Sequence, residues 1–243
     1  MGDRAARRWG FLSMAVSRRT VLVTGASRGI GRALARRLAV DSRILALARD
    51  AERLEDLARE IREAGGSCQP LVVDLRDPEA IARALAGSEV DVLINNAGVM
   101  IKKPFVELEP DEWQRMIDVN LSALYHVTRA VLPGMMARGH GHVVNIASIT
   151  GRTAYPGGAA YSATKHAVLG LSESLMLEVR DRGVRVSVVL PGSVATGMIA
   201  PGTDTSWMLK PEDVAQAVAD LLAMPPHALV YQLEVRASRP RKN

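Results

Sequence analysis

Short β-branched runs alternate with amphipathic helical stretches, a glycine-rich turn joins the first strand to the first helix, and small or polar residues recur at strand ends. Together these predict a doubly wound α/β domain, in which one parallel sheet carries helices on both faces. Ligands of such a domain sit at the carboxyl ends of the strands. With 243 residues, 48% of them hydrophobic, the chain has the apolar material for one full core.

Charge is unevenly spread. The net value is +5, but residues 1–19 and 236–243 together carry +8 and leave −3 for the body. A nucleic-acid face runs through a folded body rather than its tails, so no such partner is expected. The single cysteine, Cys68, has no internal partner, and no Cys/His cluster has zinc spacing. No metal is expected, and a reducing cytoplasm suits the chain. No apolar run approaches the roughly 20 residues a bilayer span needs, so no membrane partner is expected either. Residues 1–18 read as a flexible extension. Its apolar stretch after Arg7 and Arg8 faintly suggests an export signal, but it runs into Arg18 and Arg19 with no cleavage region. Met14 is the natural first residue on this reading. Residues 19–237 form the domain and 238–243 a basic tail.

The elements follow in order. Thr20 to Thr24 is a strand and Ile30 to Ala39 a helix; between them lies G-x-x-x-G-x-G, formed by Gly25, Gly29 and Gly31. Glycines there permit a tight turn, and the helix N-terminus offers N–H groups and a positive dipole end to a pyrophosphate. The next strand, Arg43 to Ala48, ends at Arg49, with Arg28 in the glycine turn. Arginines without an acid at this position point to the 2′-phosphate of NADP(H). Asp50 reads as the cap of a helix from Ala51 to Ala64. Pro70 to Leu75 ends a third strand, with Asp74 at its ligand edge, and Asp77 caps a helix through Ala86. Asp91 to Ile94 runs into Asn95-Asn96-Ala97-Gly98, which leaves space and backbone polar groups for a ligand or simply closes a turn. Asp111 to Met136 contains a long amphipathic helix whose Asn120 is expected on a solvated face. His142 to Ala147 is a fifth strand followed by Ser148. The helix Ala160 to Arg182 carries Tyr161 and Lys165 four residues apart, so both point the same way. An adjacent ammonium favours the ionised phenol, which makes the pair a tuned proton donor. Val184 to Leu190 is a sixth strand ended by Pro191-Gly192, Pro211 to Ala223 a last helix, and Tyr231 to Val235 a seventh strand.

Read together, TGASRGIG (24–31), NNAG (95–98), Asn120, Ser148, YSATK (161–165) and PGSVAT (191–196) resemble the short-chain dehydrogenase/reductase family. The likeness implies a Rossmann-like, seven-stranded enzyme transferring hydride between NADP(H) and a carbonyl or secondary alcohol. It implies a catalytic tetrad of Asn120, Ser148, Tyr161 and Lys165, in which Tyr161 moves the proton and Lys165 lowers its pKa and holds the nicotinamide ribose. Ser148 would fix the carbonyl oxygen, and Asn120 would hold a relay water. Cofactor contacts implied are Gly25, Ser27, Arg28, Gly29, Ile30, Gly31, Arg49, Asp74, Leu75, Asn96, Ala97 and Gly98, then Tyr161, Lys165, Pro191, Gly192, Val194 and Thr196. Substrate candidates are Ser148, Met100, Tyr155, Met198 and Trp207, with Ile149 and Thr150 beside them. The segment between Thr196 and Pro211, where the family places a lid, is short, which suggests an open or small pocket. The C-terminal end is similar to dehydrogenases of small 3-hydroxy acids, while the apolar candidates suit a 3-oxoacyl thioester or a hydrophobic ketone equally. A non-catalytic dinucleotide sensor would not need the tetrad. The family likeness also implies a homodimer or homotetramer.

Overall fold

A computed structural model describes residues 18–239. Residues 1–17, with Met14, and residues 240–243 of the expected tail lie outside it. Seven strands form one sheet: β1 (Arg19–Thr24), β2 (Ser42–Ala48), β3 (Ser67–Val72), β4 (Val92–Asn95), β5 (Gly141–Ile146), β6 (Val184–Pro191) and β7 (Gln232–Val235). Their order is β3-β2-β1-β4-β5-β6-β7, and every neighbouring pair is parallel. The chain builds outward from β1 to one edge, returns, and builds outward from β4 to the other. The β1/β4 crevice is therefore the switch point at which an open α/β sheet admits a ligand.

Among the described residues seven α-helices accompany the strands: α1 (Gly29–Leu38), α2 (Ala51–Glu63), α3 (Pro78–Leu85), α4 (Pro110–Ile117), α5 (Ala123–Arg138), α6 (Ala159–Val179) and α7 (Pro211–Leu222). Each central strand is buried on both faces, which is why its sequence reads as a continuous apolar run. In β1, Val21 and Val23 pack with Leu34 of α1, Leu54 of α2 and Val214 of α7, while Leu22 between them packs with Ile81 of α3 and Val127 of α5. Val168 brings α6 onto Val188 of β6 on the second face.

Two elements depart from expectation. The third strand, Ser67–Val72, stops at Val72 instead of running on to Leu75. As an edge strand it tolerates Pro70 within it, since a missing N–H costs least there, and Asp74 consequently lies beyond its end. The stretch from Asp111 to Met136 is not one helix. Between α4 and α5, Asp118–Ser122 winds as a π-helical turn, and Asn120 at its middle is buried rather than solvated. A π-turn inserts an extra residue and redirects side chains, and it is found mostly at functional sites.

Candidate active site

A cavity of about 1020 Å³ lies across the carboxyl ends of the strands, and the β1–α1 turn lines it with Gly25, Ser27, Arg28, Gly29 and Ile30. Gly31 sits behind this wall: a Cβ there would lie 2.2 Å from the Gly25 carbonyl oxygen, so only glycine lets α1 start this close to β1. α1 has no side-chain cap and no acid in its first turn, whereas Asp50 caps α2 and Asp77 caps α3. Its first N–H groups and positive dipole end are left for an anion, which fits a dinucleotide pyrophosphate.

Asp50 is engaged as expected of a cap, accepting from Arg53 N at 3.1 Å and pairing with the Arg53 side chain at 3.3 Å. Arg28 and Arg49 line the cavity, and Arg53, which the sequence reading missed, lines it with them. Such a set of guanidiniums suits a phosphate rather than a hydroxyl. Asp74, also on the wall, pairs with Arg76 at 2.7 Å, and that hydrogen bond holds its carboxyl down to about 2.

At the switch point Thr24 Oγ1 accepts from Asn96 N at 3.0 Å and Ala97 N at 3.1 Å, while Asn96 Nδ2 donates to the Thr24 carbonyl at 2.9 Å. These bonds join the end of β1 to the segment after β4, and Asn96, Ala97 and Gly98 reach the cavity, as does Leu75. Asn95 turns inward instead, donating to Thr128 Oγ1 at 3.0 Å and Asn145 Oδ1 at 2.9 Å. Beyond β6, Gly192, Val194 and Thr196 complete the wall with Pro191 at its end.

Tyr161, Lys165 and Ser148 meet in the same cavity. Lys165 is buried; its Nζ donates to the Ile146 carbonyl at 2.9 Å and lies 5.8 Å from the centre of the Tyr161 ring. Ser148 Oγ accepts from Thr150 N at 3.1 Å, which fixes the hydroxyl past the end of β5. Asn120 does not reach the large cavity. Its Oδ1 accepts from Val99 N at 2.8 Å, and its Nδ2 donates to the Val99 carbonyl at 2.9 Å and Thr164 Oγ1 at 3.1 Å. Thr164 in turn donates to the Tyr161 carbonyl at 2.8 Å. Asn120 and Lys165 together line a small separate cavity of about 10 Å³, close to the size of one water.

Burial governs the titration of the pair. It pushes Tyr161 up to about 12, with the Ser148 hydroxyl pulling the other way, and Lys165 down to about 8. The expected lowering of Tyr161 by Lys165 does not appear, because the ammonium is directed at the Ile146 carbonyl and loses its own charge more readily when desolvated. Tyr161 is thus a protonated phenol at neutral pH.

Met100, Tyr155, Met198, Ile149 and Thr150 all line the cavity, but Trp207 does not: its indole N–H donates to the Asp204 carbonyl at 3.1 Å, and Met208 takes the wall position. Of the open or small pocket expected from the short segment after Thr196, the small one is not found, since the cavity is about 1020 Å³. Thr24 and Thr164 fall inside the motifs TGASRGIG and YSATK, but their hydrogen-bonding roles were not legible, because a Thr at a strand end or in a helix carries no spacing signal. Among the described residues no group of three His, Cys, Asp or Glu could hold a metal, and no helix is long and apolar enough to cross a membrane.

An uncapped helix end at a switch point, opening on a half-buried Tyr beside a buried Lys, defines the class of dinucleotide-fold oxidoreductases. The pattern of the short chain dehydrogenase family matches residues 19–207, and the chain belongs to that family. It is 38% identical to Oxidoreductase UcpA of Escherichia coli K12 over 223 residues, covering 89% of this chain and 84% of the relative. It is 35% identical to NADP-dependent 3-hydroxy acid dehydrogenase YdfG of Shigella flexneri over 234 residues, covering 88% of this chain and 93% of that protein. A metagenomic short-chain oxidoreductase crystallised with NADP superposes with a TM-score of 0.82 at 38% identity, over 93% of this chain and 100% of that one.

Proposed function

We propose that this chain is an NADP(H)-dependent oxidoreductase that interconverts a carbonyl compound and a secondary alcohol. The observation that carries the reading is one continuous cavity, with the α1 N-terminus and Arg28, Arg49 and Arg53 on its wall and Tyr161 and Ser148 on the same wall. The names of the Shigella relative and the metagenomic structure support NADP(H) over NAD(H).

When bound, the dinucleotide supplies or accepts a hydride at its nicotinamide. Tyr161, a phenol held protonated by burial, donates its proton to the carbonyl oxygen as negative charge develops there. Ser148, oriented by Thr150, donates to the same oxygen and sets its angle. Lys165, fixed by the Ile146 carbonyl, returns a proton toward Tyr161 and holds the ribose. Asn120 clamps Val99 and borders the small cavity beside Lys165, where one water would complete the proton path. Thr196 and the Pro191-Gly192 backbone would hold the carboxamide side of the ring, and Asp74 and Leu75 the adenine side, since all of them line the cavity.

A small 3-hydroxy acid is the favoured substrate class, supported by the Shigella relative's name. The second reading, a 3-oxoacyl thioester, is favoured by the apolar Met100, Ile149 and Met198 on the wall. A purely sensory dinucleotide protein has no use for a lysine buried against a phenol. Exposed Tyr125 on α5 and Leu177 on α6 support assembly as a homodimer or homotetramer, which light scattering on the purified protein would test. We also infer a cytoplasmic setting, supported by a single thiol, Cys68, that burial pushes up to about 11.

The test is a panel of carbonyls and alcohols followed by NADPH absorbance, run in parallel with NADH. Turnover with NADPH well above that with NADH is expected. A strong NADH preference would overturn the arginine argument, and no turnover with either would overturn the enzymatic reading.

A further inference from the structure

Two loops meet at the substrate end of the cavity, one after β4 and one before α6. Lys103 N donates to the Gly157 carbonyl at 3.0 Å, which ties them together. Gly157 has φ +78°, a conformation that favours glycine, and a Cβ there would lie 3.3 Å from Lys102 Cγ. The Lys102 stem is therefore laid against this glycine. Its ammonium stands 5.8 Å from the centre of the Tyr155 ring. The ring rests on Gly158, where a Cβ would lie 2.5 Å from Tyr155 Cζ, and its hydroxyl donates to Met100 Sδ at 3.4 Å. Tyr155 is also near enough to Tyr161 to oppose its ionisation, so it neighbours both the cation and the proton donor.

The charge at this corner is uncompensated. Lys103 is paired with Glu112 at 2.6 Å, but among the described residues Lys102 has no carboxylate partner. The two carboxylates that line the cavity, Asp50 and Asp74, belong to the ends of β2 and β3, next to Arg49 and Arg76. None lines the side where Lys102, Ser148, Thr150 and Tyr155 face inward. A cation–π contact at an exposed site is weak and leaves the ammonium free to pair with an anion.

We propose that Lys102, steadied by Tyr155 and Gly157, is a specificity-determining residue that binds a free carboxylate of the substrate. The substrate is then a short hydroxy acid or oxo acid whose carbonyl oxygen lies at Tyr161 and Ser148 while its carboxylate pairs with Lys102. This rests on the oxidoreductase reading above and selects the acid over the thioester within it.

The experiment uses the full chain with NADP and a series of short 2-hydroxy and 3-hydroxy acids, each beside its methyl ester, followed by NADPH absorbance. Wild type, Lys102→Met, Lys102→Glu and Lys102→Arg are compared. The wild type is expected to prefer acid to ester, with a KM for acids that rises with salt. In Lys102→Met the acid-to-ester ratio of kcat/KM falls about tenfold, the change residing in KM; charge reversal lowers it further and arginine restores most of it. The proposal is overturned, with the oxidoreductase reading intact, when wild type turns over esters as well as acids or Lys102→Met slows both alike. If no alcohol of either series is oxidised while secondary alcohols of other classes are, the proposal alone falls. If none of any class is oxidised, both fall.

Discussion

Tyr161 and Lys165 are adjacent on one helix face, yet burial moves their pKa values apart, the phenol up to about 12 and the amine down to about 8. Burial disfavours whichever form carries charge, so the phenol keeps its proton across the neutral range. Reduction needs that proton and alcohol oxidation needs the phenolate. Oxidation by NADP should therefore rise between pH 7 and 10 while reduction does not, which initial rates in both directions would check. Tyr161→Phe removes the proton donor and leaves the rest of the wall. It is expected to lower turnover by about 10² to 10⁴-fold while NADPH binding, read by fluorescence titration, stays nearly intact. A variant retaining a tenth or more of the wild-type rate would remove Tyr161 from this role. At this scale the sequence was informative wherever spacing carries geometry: the Tyr-Lys interval, the glycine turn and Arg49 each lie where they were expected. It was uninformative where environment decides, since neither the direction of the Tyr161 shift nor the carbonyl partner of Lys165 is written in a four-residue interval.

Single residues are held in place by elements that bend for them. Asn120 was expected on a solvated face because asparagine is a mediocre helix former, but the π-turn between α4 and α5 directs it inward onto both backbone groups of Val99. Periodicity does not reveal a π-turn, since the apolar pattern resumes in α5. Asn120→Ala would leave the Val99 N–H and carbonyl unpartnered, each at a cost of about 1–3 kcal/mol if buried. A thermal midpoint several degrees below wild type is expected, at about 2–4 °C per kcal/mol for a chain of this size. An unchanged midpoint would show that the clamp carries no stability. A second buried polar contact joins β5 to β6: His142 Nε2 lies 2.8 Å from Ser187 Oγ, which donates its own proton to the Val230 carbonyl at 2.7 Å. Ser187 must therefore accept from His142, which fixes the Nε2–H tautomer. Burial, with Arg185 and Arg19 nearby, pushes His142 down to about 3. The unfolded chain takes up this proton first on acidification, so stability is full above about pH 6.5 and declines as pH falls toward 3. His142→Leu should flatten that acid limb in thermal unfolding measured from pH 7 to 4; an identical limb in the variant would assign it to other groups.

Across the whole molecule the cavity draws on both halves of the sheet. Arg28, Arg49 and Asp74 come from the ends of β1, β2 and β3, while Asn96, Ser148 and Thr196 follow β4, β5 and β6. Alternation of strands and helices made this architecture readable, because each strand end contributes by topology alone. The extent of the substrate wall was not readable: Met208 in place of Trp207, and the seating of Tyr155 against Lys102, depend on how loops distant in sequence fold over one another. A ligand touching every one of these strand ends binds the folded molecule and not the unfolded chain. At a hundred times its dissociation constant it adds about 2.7 kcal/mol, which for a chain of this size raises the thermal midpoint by about 5–11 °C. NADPH should give this shift, and NADH at the same concentration a smaller one, because Arg28, Arg49 and Arg53 find no 2′-phosphate on it. Replacing Arg28 and Arg49 with alanine should reduce the NADPH shift toward that of NADH and leave the NADH shift in place. Equal shifts for the two dinucleotides in wild type would show that the arginines do not select the cofactor, whereas loss of both shifts in the double variant would show that they hold the common pyrophosphate instead.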